Sequence, residues 1–388
     1  MESFRFMKKS LIALGFGTLG LGIAEFVMMA ILPYVAQDLG VDIPTAGHFI
    51  SAYALGVFCG APGLTFVRRF PLKNILLGLV VIMLVGNLFA SLSVNYTMLL
   101  IGRFVSGLPH GAYFGVASIV AEKLADHGKG SQAVSIMVAG MTVANLFGVP
   151  LGTSICTLMS WRVTFILVAV ISIGVFYYIY KWVPQVEGLP RSNYKSQFHF
   201  LRNMAPWLII LSTMLGNGAV FCWYSYVNPY LTTSCGFSGD VVPFLMVLAG
   251  FGMVVGNLVS GRLSDRYTPG RMAFTMQIVI TLALLGLFFS YHAPWLSVLL
   301  LCVCTFGLFA VSSPLQVSII HFSKGGELLG AACIQMAFNL GNAIGAAVGG
   351  IPLRHGLGYE YTALIAMPVV LLGAVLTLIF VKRCESKA

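Results

Sequence analysis

Charge is what this chain of 388 residues has least of: Asp, Glu, Lys and Arg make up 9% of it, with 12 acidic residues against 22 basic ones. So few charges cannot solvate the surface of a water-soluble domain of this size. A hydrophobic share of 58% and a mean hydropathy of +0.92 instead define an integral membrane protein. Alternation of polar and apolar residues is also missing from the long windows, which excludes an outer-membrane barrel. The eight cysteines show no metal-ligand spacing and no disulfide framework. Cys59, Cys156, Cys222, Cys302, Cys304 and Cys333 fall in apolar runs, where a thiol acts as a small apolar side chain. The chain lacks a Gly-x-x-x-x-Gly-Lys-Ser/Thr element, a nucleophile elbow and a metal cluster, so neither ATP drive nor an enzyme is expected, and no cofactor.

What is present is a series of apolar windows, each about 20 residues long, the length that crosses a hydrocarbon core. Twelve are counted, starting near residues 10, 45, 72, 96, 131, 161, 205, 239, 271, 295, 327 and 358. An all-α bundle of twelve transmembrane helices follows. With the N-terminus placed in the cytoplasm, 19 of the 22 Lys and Arg residues fall in cytoplasmic segments, leaving Arg162 and Arg354 outside and Arg103 within a span. That split obeys the positive-inside rule and puts both termini in the cytoplasm. The net charge of +10 is thus topological, with lipid rather than nucleic acid as its partner.

The chain repeats itself. An offset of 196 residues aligns Gly20 with Gly216, Gly22 with Gly218, Pro33 with Pro229, Tyr34 with Tyr230, Gly56 with Gly252 and Gly60 with Gly256. One residue of slip adds Arg69 on Arg266, Asn145 on Asn342, Gly148 on Gly345 and Gly152 on Gly349. Six spans per half make the repeats parallel, a design that places substrate between the halves near the midplane. The expected domains are residues 1–183 and 205–388, each a six-helix bundle. Residues 184–204, the longest polar stretch, form the linker, either as a surface helix or as a plain tether.

Glu25 lies alone inside the first apolar run, and a carboxylate there is costly enough to need a purpose. It precedes the end of its span by about nine residues, roughly 13 Å at the helical rise. Arg103 enters the fourth span to a similar depth, so the two share a layer. Moving guanidinium and carboxylate relative to each other would make Glu25 take up or release a proton. His110 follows Arg103 by two helical turns and is a third candidate for proton coupling. The structural alternatives are a static Glu–Arg clamp and a histidine bonded to a neighbouring carbonyl.

The motifs sharpen the reading. GRLSDRYTPGR, residues 261–271, matches the G-x-L-x-D-R-x-x-x-R signature of the major facilitator superfamily. Leu99, Arg103 and Gly107 match the Leu-x-x-x-Arg-x-x-x-Gly element of its proton-linked members. ANLFGVPLGT in the fifth span is similar to the Gly-Pro element of the twelve-span drug:proton antiporters, although one residue separates Gly148 from Pro150. AEFVMMAILP and PHGAYFG resemble the arabinose efflux permease and sugar-efflux group. The N-terminal copy of the signature is degraded, with Arg68 in place of the aspartate, followed by Arg69 and Lys73.

The resemblance implies export of small organic molecules, sugars or amphiphilic drugs, from the cytoplasm across a bacterial inner membrane, driven by protons, by a chain that is a monomer. It also implies that spans one, four, seven and ten line the cavity. There the polar and aromatic groups are Tyr113, Asn217, Trp223, Tyr224, Tyr226, Asn228, Ser312, Ser313 and Gln316, although the aromatics near Tyr230 also fit an interfacial belt. Gating falls to Gly148, Pro150 and Gly152 and to Gly261, Asp265, Arg266 and Arg271, with Arg69 in the N-terminal copy; tight packing alone would also explain the glycines. Competing functions are uncoupled facilitated transport and a non-transporting membrane sensor. The sensor would call for soluble signalling extensions, and the eight residues after Phe380 supply none.

Overall fold

The computed structural model describes residues 2–67, 69–125, 130–188, 198–324 and 326–387. Twelve of its helices are long and apolar enough to cross a membrane. In chain order they are α1 (Glu2–Leu39), α2 (His48–Gly60), α3 (Leu72–Ser91), α4 (Tyr96–Leu124), α5 (130–158), α6 (Trp161–Trp182), α7 (204–224), α8 (Val242–Arg266), α9 (Pro269–Ser290), α10 (Pro294–Phe322), α11 (Glu327–Arg354) and α12 (Glu360–Arg383). An even number of crossings brings both chain ends to one face, here called the terminal face.

Two helices start on side-chain caps. Asp42 accepts a hydrogen bond from the Thr45 N–H at 3.0 Å ahead of the short helix Ile43–Ala46 that leads into α2. This bond from Thr45, chiefly, holds the Asp42 carboxyl below the usual carboxylate range. Ser160 caps α6 through its Oγ and the Arg162 N–H. Two helices are irregular in the middle of the bilayer. α5 widens into one π-helical turn, Ala144–Gly148, just before Pro150, whose missing N–H cannot hold a regular ladder. α7 breaks after Gly216, continues through the short turns Gly218–Val220 and Phe221–Tyr224, and resumes at Val227–Pro229. Non-helical backbone at that depth survives only inside protein, and each of these residues is buried.

The internal repeat reappears as equivalent packing. Gly56 of α2 lies against the Phe104 carbonyl of α4, and its mate Gly252 of α8 lies against the Cys302 carbonyl of α10; Gly60 and Gly256 meet the Leu108 and Phe306 carbonyls in the same way. Gly20 abuts Met83 of α3 and Ile171 of α6, while Gly216 abuts Gln277 of α9 and Gly373 of α12. A Cβ at any of these glycines but Gly20, where the Met83 and Ile171 side chains leave a tight fit, would run into its neighbour, so small residues set the helix separation in both repeats. The repeats meet along two seams, α2 against α11 and α5 against α8.

Within 184–204, residues 189–197 are outside the described set. The described part before them carries no helix: the Val186 carbonyl accepts from the Leu72 N–H at 2.9 Å, which lays the strand of chain along the start of α3. A 3-10 turn, His199–Arg202, precedes α7.

Candidate functional site

Glu25, Arg103 and His110 are all buried, with 1%, 0% and 0% of their surfaces exposed, so the carboxyl faces neither lipid nor external water. The three do not form the simple Glu–Arg pair that spacing suggested. Arg103 Nη1 donates to the Ala24 carbonyl at 2.7 Å, and Nε donates to the Phe49 carbonyl at 3.3 Å. Its guanidinium also stacks over Tyr53, 4.4 Å from the ring centroid. The helical turn at Ala24 therefore rests on Arg103 while the Glu25 side chain turns elsewhere. Carbonyl dipoles and a ring face thus hold the buried cation, with Nη2 left buried and without a hydrogen-bond partner.

The carboxyl points at the seam between repeats. Oε1 accepts from Asn342 Nδ2 of α11 at 3.4 Å, and Oε2 lies 3.7 Å from His110 Nε2 of α4. His110 Nδ1 lies 2.8 Å from the Tyr53 hydroxyl, and the ring stacks on Phe114. With Tyr53 donating to Nδ1, the other ring nitrogen carries its proton towards Glu25. Four elements thus contribute to one chain of groups, Tyr53, His110, Glu25 and Asn342. Glu25 Oε2 and His110 Nε2 lack any shorter partner, so this chain is loosely closed. In a low-dielectric layer such a gap costs energy that a proton or a polar ligand would recover.

Beside the carboxyl, towards the face opposite the termini, the halves are plugged by aromatic rings. Phe26 of α1 contacts Phe221 and Tyr224 of α7 and Phe309 of α10 at centroid distances of 6.0, 6.3 and 6.2 Å. Asn228 donates to the Ala30 carbonyl, Tyr226 to the Ala346 carbonyl at 2.6 Å, and Ser51 to the Ala343 carbonyl at 2.9 Å. Trp223, Tyr224 and Tyr226 are 0 to 3% exposed, so they do not form a belt at the lipid interface.

The remaining expected residues are dispersed. Tyr113 is tied up by the Leu14 carbonyl at 3.1 Å and fills the space beside Gly17. Ser313 donates to Asn257 of α8 at 3.2 Å, and Ser312 is half-buried beside it. Asn217 Oδ1, Trp223 Nε1 and Gln316 Oε1 are buried without a partner, and Asn339 Oδ1 on α11 joins them. Gly148 and Gly152 press on Ile23 and Val27 of α1, and Pro150 is buried between them. Arg69 and Arg271 are exposed at the terminal face, Arg69 lying over the Phe70 ring. Gly261, Asp265 and Arg266 lie in α8, and the side chains of Asp265 and Arg266 are outside the described set. Tyr53, Asn342 and Phe26 had not been singled out for the site. Asn342 had a signal, since the repeat pairs it with Asn145; Tyr53 and Phe26 had none, being ordinary members of apolar runs.

A twelve-helix bundle of two parallel repeats with a charged cluster on their seam defines a membrane transporter rather than an enzyme. The family model of the Major Facilitator Superfamily matches residues 14–332, and the chain belongs to that family. It is 52% identical over 359 residues to the putative transporter AraJ of Escherichia coli (strain K12), covering 92% of this chain and 91% of that one. It is 26% identical over 341 residues to a probable sugar efflux transporter of Helicobacter pylori (strain P12), covering 87% and 86%. Among solved structures, a bacterial homolog to the human lysosomal transporter Spinster, in an inward-facing and unoccupied conformation, superposes with a TM-score of 0.68. That match covers 97% of this chain and 94% of the other at 14% identity, which is a likeness of fold.

Proposed function

We propose that the chain is a proton-coupled antiporter that exports small organic molecules, sugars or sugar-like compounds first, by alternating access in a bacterial inner membrane with both termini in the cytoplasm. The observation that carries this reading is the Glu25 carboxyl, buried and held between His110 of one repeat and Asn342 of the other. A group bonded to both halves gains or loses partners whenever they move, and its proton affinity moves with them. Residues 1–183 and 205–388 act as the two rocking bodies, joined by 184–204. The unpartnered amide oxygens of Asn217, Gln316 and Asn339 suit a ligand rich in hydroxyl donors, and the Phe26, Phe221, Tyr224 and Phe309 rings suit its apolar face. Arg103 orients the Glu25 turn through Ala24.

Transport assays in proteoliposomes with an imposed pH gradient test it, with pentoses and disaccharide analogues as cargo. Substrate-dependent proton movement is expected; cargo movement that ignores the gradient would assign facilitated diffusion instead.

A further inference from the structure

Where the α2–α11 seam reaches the face opposite the termini, it closes on a histidine. His48 Nδ1 lies 2.8 Å from the Tyr96 hydroxyl of α4, and the two rings meet edge to face. Its Nε2 lies 3.4 Å from Arg354 Nη2 of α11, in the other half of the molecule. Guanidinium has only donors, so this contact is a hydrogen bond only while Nε2 offers a lone pair. In the neutral ring the proton then sits on Nδ1, facing the Tyr96 oxygen. Once protonated, both ring nitrogens are donors and two cations face each other across the seam.

We infer that His48 is a second proton-responsive group of the transport cycle, a positioning residue whose protonation parts α2 from α11 and releases the face opposite the termini. The inference rests on the proton-coupled reading proposed above. The groups facing the ring are Tyr96 from α4 and Arg354 from α11; nearby stand Asp42 at the approach to α2 and Tyr226 of α7, whose hydroxyl packs on Gly47. Asp42 is the one acid among them; it and Arg354 are both exposed, so water screens their attraction as well as the repulsion between Arg354 and a charged ring. Imidazole is the side chain that changes charge between about pH 5 and 8. His48 Nε2 accepts from Arg354 only while the ring is neutral, so protonation of the ring breaks this contact and acid favours the open seam. The effect has a mechanical path inward. Phe49, next in sequence, holds Arg103 by its carbonyl, and Ser51, one turn on, bonds Ala343 beside Asn342.

Spin labels at Val94 and Leu357, exposed positions of the two halves at this face, read the opening in a variant freed of its eight cysteines. As pH is lowered from about 8 to 5, the population with widely separated labels is expected to grow, by at most about tenfold per pH unit for one proton. His48→Gln, which keeps an acceptor but cannot charge, and Arg354→Gln, which removes the second cation, are each expected to flatten that response. An unchanged pH response in both variants, or none in the parent, overturns the inference. Glu25→Gln separates it from the wider reading: that variant is expected to lose gradient-driven export while keeping the His48-dependent opening. If it still exports with the parent's pH dependence, the antiport reading fails and the His48 result stands by itself.

Discussion

On the antiport reading proposed above, Glu25 serves as a titrating group, and its two partners at 3.4 and 3.7 Å hold it loosely enough to be exchanged. Glu25→Gln keeps the shape and removes the proton site, so pH-driven export should vanish while thermal unfolding in detergent stays within about 1 kcal/mol of the parent. Arg103 is the opposite case. Its side chain is fully buried on the Ala24 and Phe49 carbonyls and the Tyr53 ring, so Arg103→Ala loses these contacts and should cost roughly 1 to 3 kcal/mol of stability as well as transport, measured by unfolding in detergent. Sequence alone brought Glu25 and Arg103 to one layer and put His110 two helical turns away, since depth follows from helical rise. Which of them touch was not legible, because spacing along one helix says nothing of rotation against another.

At the scale of the helix, the contacts within each repeat are built on missing side chains. Gly252 of α8 lies against the Cys302 carbonyl of α10, as Gly56 of α2 lies against Phe104. Backbone on one side and backbone on the other leaves nothing flexible to give way. Gly252→Leu should therefore force α8 from α10 at a cost of about 1 to 3 kcal/mol, seen as a lowered unfolding temperature. The twelve windows, their order and their offset of 196 residues were readable because bilayer thickness and close helix contact both leave marks in composition. The break in α7 was not: Asn217, Tyr224 and Tyr226 read as one continuous helix until their backbone partners were known.

For the whole molecule, closure at the face opposite the termini is shared among several modest ties. Asn228 on Ala30, Ser51 on Ala343 and His48 on Arg354 each cross between the halves. A hydrogen bond between membrane helices is worth about 0.6 to 1.7 kcal/mol, so losing one shifts a two-state balance by roughly threefold to twentyfold. Asn228→Ala should accordingly raise the population open at the face opposite the termini by that factor, read by label distances at the same face, without unfolding the protein. At the other face, the signature in α8 holds Asp265, and Asp265→Asn should alter the ratio of the two open forms, read by crosslinking across the terminal face; an unmoved ratio removes that residue from the gate.

The amino-acid sequence determined the number of spans, the doubled architecture and the presence of an acid too costly to be idle, because each follows from one-dimensional quantities: apolar length, repeat offset and the price of charge in hydrocarbon. Tertiary structure decided the rest. Only the meeting of the two halves joins Glu25 of α1 to Asn342 of α11 and His48 of α2 to Arg354 of α11, residues 317 and 306 positions apart. A pairing across two repeats depends on how their surfaces meet, and no local pattern in either repeat encodes that.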